Sequence, residues 1–273
     1  MPAQLSPDSV IVSKQSFESS DPYDIVESNI SFLNALFEEH LRHDEVSQDA
    51  LRSYYVDYYL AEVNNGGFSQ FVYNSRWEEL VVSLVREGLS AIGAKRHLAL
   101  FEKSGRLVKK LGKRRLQVYF SSEYFGDNAE RDELNGPNDA FVAISKHEDL
   151  IALNSAWLRR SPSLVVMTIP QMEKEVKRRA AAIPDRNERI AAARANEPRY
   201  MKLIRSLCEC AGHELETVTA GDPAHVHAGR ETLAWHFITD RGHHYMVEAD
   251  GKAVMFRGTS KKQVCAVDAP PDE

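Results

Sequence analysis

The chain has 273 residues, 43% of them hydrophobic and 27% charged, three cysteines and a formal net charge of −6, a composition that builds packed cores and a length that suits two ordinary domains. The longest apolar run, Leu164 to Ile169, falls far short of the ~18 residues of a spanning helix, no apolar stretch follows Met1 as a secretory signal requires, and three cysteines are too few to staple a chain of this size. A cytoplasmic protein with reduced thiols and no membrane partner is therefore expected.

The charge is distributed unevenly. Phe17 to Glu62 holds eleven acids and two bases, Lys95 to Arg115 nine bases and one acid, Leu116 to Leu150 eight acids and two bases, and Ser161 to Glu273 sixteen of each. An electrostatic function therefore belongs to the first 150 residues.

Residues 1–16, with scattered Pro and Ser and no sustained period, read as a disordered tail. Asp21 before Pro22 marks a helix start, and Val26, Ile30, Leu33, Phe37 and Leu41 draw one apolar stripe. Ser47 caps a second helix with Leu51, Tyr55, Tyr58 and Val63 facing inward, expected to stop at Asn64-Asn65-Gly66-Gly67. Ser75 and Glu78 have capping-box spacing ahead of a strongly apolar helix through Ile92. The segment Lys95 to Arg115 keeps Leu98, Phe101, Leu107 and Leu111 for the core, and Gly105 and Gly112 predict that it is broken. Gly126 to Asn138 reads as an exposed acidic loop, and Asp139 to Arg160 as a further helix.

Residues 17–162 thus form a predicted helical bundle. Residues 163–198, punctuated by Pro170, Pro184 and Pro198, read as a helical connector with little core of its own. Residues 199–273 open with a helix over Tyr200 to Ala211 ended by Gly212. Strand signals follow at Leu215–Thr219, Glu231–Thr239, His243–Ala249, Lys252–Arg257 and Gln263–Val267, and Asp250-Gly251 gives a strong hairpin signal. The fold class is mainly α: a helical bundle, a helical connector and a small C-terminal α+β domain with one helix on an antiparallel sheet.

The run from Tyr58 to Ser75, with Asn64-Asn65-Gly66-Gly67-Phe68-Ser69-Gln70 at its centre, resembles the hallmark of the DNA mimic protein 19 family. Glu87 to Ala94 is similar to the helix that follows it in that family, and Leu134-Asn135-Gly136-Pro137-Asn138-Asp139-Ala140-Phe141 to its junction between acidic loop and helix. The resemblance spans about residues 20–160. It implies an all-helical fold and, for the member that names the family, an acidic surface that imitates duplex DNA to occupy a DNA-binding protein; no binding or catalytic residue is carried over.

Two readings of the motif stand side by side. Glu62, Asn65, Gln70 and Asn74 offer donors and acceptors to a pocket; equally, Gly66 and Gly67 permit a turn, Phe68 pins the next helix, and the amides satisfy backbone groups freed where helices meet. Mimicry can be weighed by charge: two helices of about 23 residues lie alongside ~35 Å of duplex carrying roughly 20 phosphate charges, and the acidic segment supplies less than half of that. The basic stretch lacks a recognised nucleic-acid motif, so its cations are expected to pair with the acidic segments or across a homodimer, and direct nucleic-acid binding is not expected.

Six of the ten histidines, His213, His225, His227, His236, His243 and His244, lie near the C-terminus. His225-x-His227 on a strand puts two imidazoles on one side, but no closed ligand pattern accompanies it, and neither a metal nor another cofactor is expected. The chain has no nucleophile elbow, phosphate loop or dinucleotide fingerprint. The function expected is a protein-binding regulator or inhibitor that sets an acidic face, Glu38, Glu39, Asp44, Glu45 and Asp49, against a basic partner such as a DNA-binding protein. The alternatives are an enzyme or small-ligand binder with its pocket at Glu62, Asn65, Gly66, Gly67, Phe68, Gln70 and Asn74, and an immunity-type protein that neutralises a toxin.

Overall fold

The computed structural model describes residues 5–227 and 229–269. It corrects the expectation of a disordered tail over residues 1–16, of which 1–4 lie outside the described residues: Val10–Ser13 is a strand, β1, whose Val10, Ile11 and Val12 are at most 1% exposed. β1 pairs in parallel with Leu164–Met167, β2, from Val10 against Leu164 to Ser13 against Met167. A short apolar run has no polar face to give it a period when both its sides are covered, and its pattern is then silent.

Between these strands lies the helical bundle. Lys14–Glu18 (α1) leads to Pro22–Glu38 (α2), where Asp21 accepts from the Tyr23 amide and proline occupies the first turn, as the sequence predicts. Gln48–Ser75 (α3) starts at a Ser47 cap and is followed by Glu79–Ala91 (α4), Lys95–Ser121 (α5), Ala129–Leu134 (α6), Asn138–Ser145 (α7) and Leu150–Arg160 (α8). The core gathers Ile25, Leu33 and Leu36 of α2 with Leu51, Tyr59, Phe68 and Phe71 of α3, Leu89 of α4 and Phe101 of α5. Tyr59, Phe68, Phe71, Trp77 and Phe101 meet edge to face or tilted, with centroids 5.2 to 6.5 Å apart, an arrangement that adds to the burial itself.

Several local expectations change. α3 leaves helical geometry at Gly66 and Gly67, where its first stretch was expected to stop, and a second helical stretch runs on from there to Ser75. The Ser75–Glu78 capping box does not form, because Ser75 ends α3 and its hydroxyl accepts from the Trp77 amide. In α5 only Gly112, at φ 75°, leaves helical geometry; Gly105 stays helical, and a Cβ there would stand 3.4 Å from the Trp77 ring. The expected exposed loop Gly126 to Asn138 contains α6, with Leu134 fully buried.

Met1–Arg186 and Asn187–Glu273 form two compact units. The first includes β2 and Ile169–Ala181 (α9), which bury Met172 and, just beyond, Ile183 in the bundle core. The Arg179 guanidinium sits 2.9 Å from Glu175 and donates to the carbonyls of Ser6 and Pro7, both at 3.2 Å. Residues 163–186 therefore have the core that the connector was expected to lack, because Pro170 occupies the first turn of α9 instead of interrupting a helix. Arg186–Ala195 (α10) crosses the division between the units.

In the second unit Arg199–Ala211 (α11) ends at Gly212 in left-handed geometry. Leu215–His227 (β3), Arg230–Thr239 (β4), Gly242–Ala249 (β5), Lys252–Arg257 (β6) and Gln263–Asp268 (β7) make an antiparallel meander in sequence order. Asp250 and Gly251, both at positive φ, turn β5 into β6. Leu203, Ile204 and Leu207 of α11 pack on Phe237, Met246 and Met255 of one sheet face. The architecture is mainly α with a small α+β part, and no helix among the described residues is long and apolar enough to cross a membrane.

A chain ending at Arg186 should melt cooperatively with the helical circular dichroism of the first unit. Deleting residues 1–13 from that chain as well should lower its stability by several kcal/mol, since Val10, Ile11 and Val12 each lose a burial of about 1.5–3 kcal/mol. Equal melting temperatures for the two chains would show that β1 is dispensable.

Candidate functional site

The break in α3 is built from two glycines. Gly66 has φ −144° and ψ 15°, and Gly67 has φ 82° and ψ −177°, the latter a region that essentially only glycine enters. A helix broken here loses its internal partners for the amides just beyond, which become the free donors of a new helix start. Side chains from the α6–α7 junction take them: the Phe68 amide donates to Asn138 Oδ1 and the Ser69 amide to Asn135 Oδ1, both at 3.0 Å. The Gly66 carbonyl accepts from the Tyr124 hydroxyl at 2.9 Å, and the Ser69 carbonyl from the Tyr119 hydroxyl at 2.9 Å. Contact is close enough that a Cβ on Gly67 would lie 2.2 Å from Asn138 Nδ2 and 2.4 Å from Asn135 Oδ1.

The pocket residues are only partly brought together. Gln70 and Asn74 both donate to Glu62 Oε2, at 2.9 and 2.7 Å, so this carboxylate bridges the bend and Asn65 lies exposed outside the trio. Phe68 is 2% exposed and points into the aromatic core. Three cavities of the first unit, of about 350, 620 and 600 Å³, are lined by other residues.

The five acids of the predicted face divide. Glu38 and Asp44 are exposed. Glu39 is ion-paired with Arg186, and Asp49 lies 2.8 Å from Arg52, which also holds Glu87. Glu45 accepts from the Arg42 amide at 2.7 Å, and together with Asp44 it lines a cavity opposite Arg178 and Arg179. Neutralisation thus begins inside the segment that looks most acidic in sequence.

A second pair of acids, which the sequence reading did not select, lies on α2 and α3. Asp57 on α3 has its carboxyl pushed up to about 6, first by burial and then by the negative charge of Glu27 on α2. The Tyr23 phenol is raised by burial and by both carboxylates. The signal for the pair is helical spacing: Tyr54, Asp57, Tyr58 and Glu62 lie three and four residues apart on one side of α3. Farther along the chain, the ring of Phe125 is 83% exposed between the exposed acids Glu123 and Asp127.

The basic stretch finds acids of its own. Arg115 bonds Glu130 at 3.1 Å and Glu133 at 2.9 Å, and Lys110 approaches Glu133 at 3.8 Å. The ion pairs of α5 therefore run to α6.

Compared with known proteins, residues 44–161 match the family model described as DMP19-like protein. No curated protein and no solved structure matches the chain. The matched segment holds α3 with its break, the α6–α7 junction that clamps it, and α8; α2 lies before it.

Two substitutions test this geometry. Gly67→Val should cost at least about 2 kcal/mol in urea unfolding, from backbone strain and displaced asparagines, and Asn135→Ala about 1–3 kcal/mol by orphaning a buried amide; an unchanged midpoint for either would refute the clamp. Asp57→Asn should stabilise the protein at neutral pH. The raised carboxyl makes wild-type stability greatest below the ordinary pKa of 3.8 and lower as pH rises through about 6. The advantage of the variant in melting temperature should therefore vanish on acidification through that window, and a gap independent of pH would point to another cause.

Proposed function

We propose that the helical unit, whose residues 44–161 match the DMP19-like protein family model, is a protein-binding regulator whose acidic α2–α3 surface engages a basic, nucleic-acid-binding protein. The observation that carries this reading is the routing of charge. The cations of α5 that form ion pairs form them with Glu130 and Glu133 of α6, so those pairs do not compensate the acids of α2 and α3, of which Asp49 is held by Arg52 instead. The Asp57 carboxyl is raised first by burial and then by the charge of Glu27, and a basic partner would relieve that repulsion on binding.

The charge supports a local imitation of a few phosphates and not of a full turn of duplex. The segment's eleven acids and two bases are fewer than the roughly 20 charges on ~35 Å of DNA, and Glu39 and Asp49 are already spoken for within the fold. Phe125 adds the other ingredient of a protein interface, an exposed aromatic ring between acids, of the kind that anchors hot spots.

Changing Glu27, Glu38, Asp44 and Asp57 together to their amides should leave the melting temperature no lower than that of wild type. Retention of nucleic-acid-binding proteins from cell lysate on the immobilised chain should fall strongly. Wild-type association should slow as salt rises, because attraction beyond ~8 Å is screened at physiological ionic strength, and duplex DNA should compete for the captured protein. Capture that survives neutralisation, ignores salt and is untouched by DNA would remove this reading.

A further inference from the structure

The face of the C-terminal sheet opposite α11 carries Ala234, Tyr245, Val247 and Phe256 as a small apolar cluster, and histidines from three strands surround it. His225 packs on Tyr245 at 4.6 Å, His227 on Phe256 at 4.6 Å, and His236 on His243 at 5.2 Å. Aromatic packing alone would account for His227. It does not account for what His225 and His236 do with Asp222.

Asp222 and His225 are three residues apart, which on a regular strand puts them on opposite faces. β3 is irregular there: Asp222 pairs with Ala234 and His225 with Thr232, three residues on one strand against two on the other. The extra residue is a bulge, occupied by Pro223-Ala224, and it restores Asp222 and His225 to a common face. Asp222 Oδ1 accepts from the Ala224 amide at 3.0 Å, which fixes the carboxylate and leaves Oδ2 free, 3.8 Å from His225 Nδ1. His236 reaches the same point from β4, and one ligand atom from each of the three residues lies within 4.8 Å of the other two.

We propose that Asp222, His225 and His236 bind a divalent first-row transition ion, with zinc the best fit. Two imidazoles and a carboxylate are a donor set such ions take, at bond lengths of ~2.0–2.2 Å. Two ligands on a tetrahedral ion then stand roughly 3.3 Å apart. A gap of 3.8 Å between Asp222 Oδ2 and His225 Nδ1 is too long for a hydrogen bond and close to that tetrahedral edge.

Two further observations fit. His225 Nε2 is buried without a hydrogen-bond partner, so the ring is not held in place by bonds that coordination would have to break. His236 Nδ1 lies 3.0 Å from His243 Nε2, a contact that orients the His236 ring and leaves its other nitrogen for the ion. His243 is thus a positioning residue. Asp222 is 43% exposed, which leaves the fourth position of the ion to water. The ion ties β3, across its bulge, to β4.

The test is zinc titration of the full chain after chelator treatment, followed by calorimetry, with melting in parallel. Wild type should take up about one equivalent of Zn²⁺ with a rise in melting temperature. His225→Ala and His236→Ala, with circular dichroism unchanged, should lose both the tight site and the thermal shift. His243→Ala should keep the stoichiometry and bind about tenfold more weakly, and His227→Ala should bind as wild type does. No saturable uptake by the folded wild-type chain would overturn the proposal. So would uptake and thermal shift that persist in His225→Ala and His236→Ala, or that disappear only in His227→Ala.

Discussion

The bend at Gly66-Gly67 depends on four hydrogen bonds that come from outside the helix. Breaking α3 strands the Phe68 and Ser69 amides and the Gly66 carbonyl, where each unsatisfied group costs about 1–3 kcal/mol. Asn138, Asn135 and Tyr124 meet these three, and Tyr119 adds a bond to the Ser69 carbonyl. The bend is therefore stable only when α5, α6 and the start of α7 are already docked. It also aims Phe68 and Phe71 into the aromatic cluster with Tyr59 and Phe101, so the clamp and the core support each other.

This interdependence joins two separated stretches of the matched segment 44–161. Asn64 to Gln70 supplies the break, and Leu134 to Phe141 supplies the asparagines that close it, some 70 residues later. Glycine is required at position 67 by backbone angle and by the nearness of those asparagines. The motif residues Gln70 and Asn74 bond to Glu62, and the backbone around the break is held by side chains from outside α3.

Charge follows the same scaffold. Two cations of α5, Lys110 and Arg115, pair with Glu130 and Glu133 of α6. On α3 the Asp57 carboxyl is held up by burial and by the charge of Glu27 on α2, an arrangement that costs folding stability at neutral pH.

Local spacing and local backbone preference determined most of the bundle helices, the order of the C-terminal strands and the Asp250-Gly251 turn, but not α6 or the division between α7 and α8. The sequence also marked Gly66-Gly67 as special and the N-terminal segment as acidic. The rest depended on partners distant in the chain. β1 was illegible because Val10-Ile11-Val12 is covered on both sides and so has no alternation to read. The neutralisation of Glu39 by Arg186 and the pairing of Asp57 with Glu27 arise between elements far apart in sequence. The convergence of Asp222, His225 and His236 turns on a bulge that reverses strand parity, a property of pairing with β4. Sequence spacing reports neighbours on one element; which charges and ligands meet across elements was decided by packing.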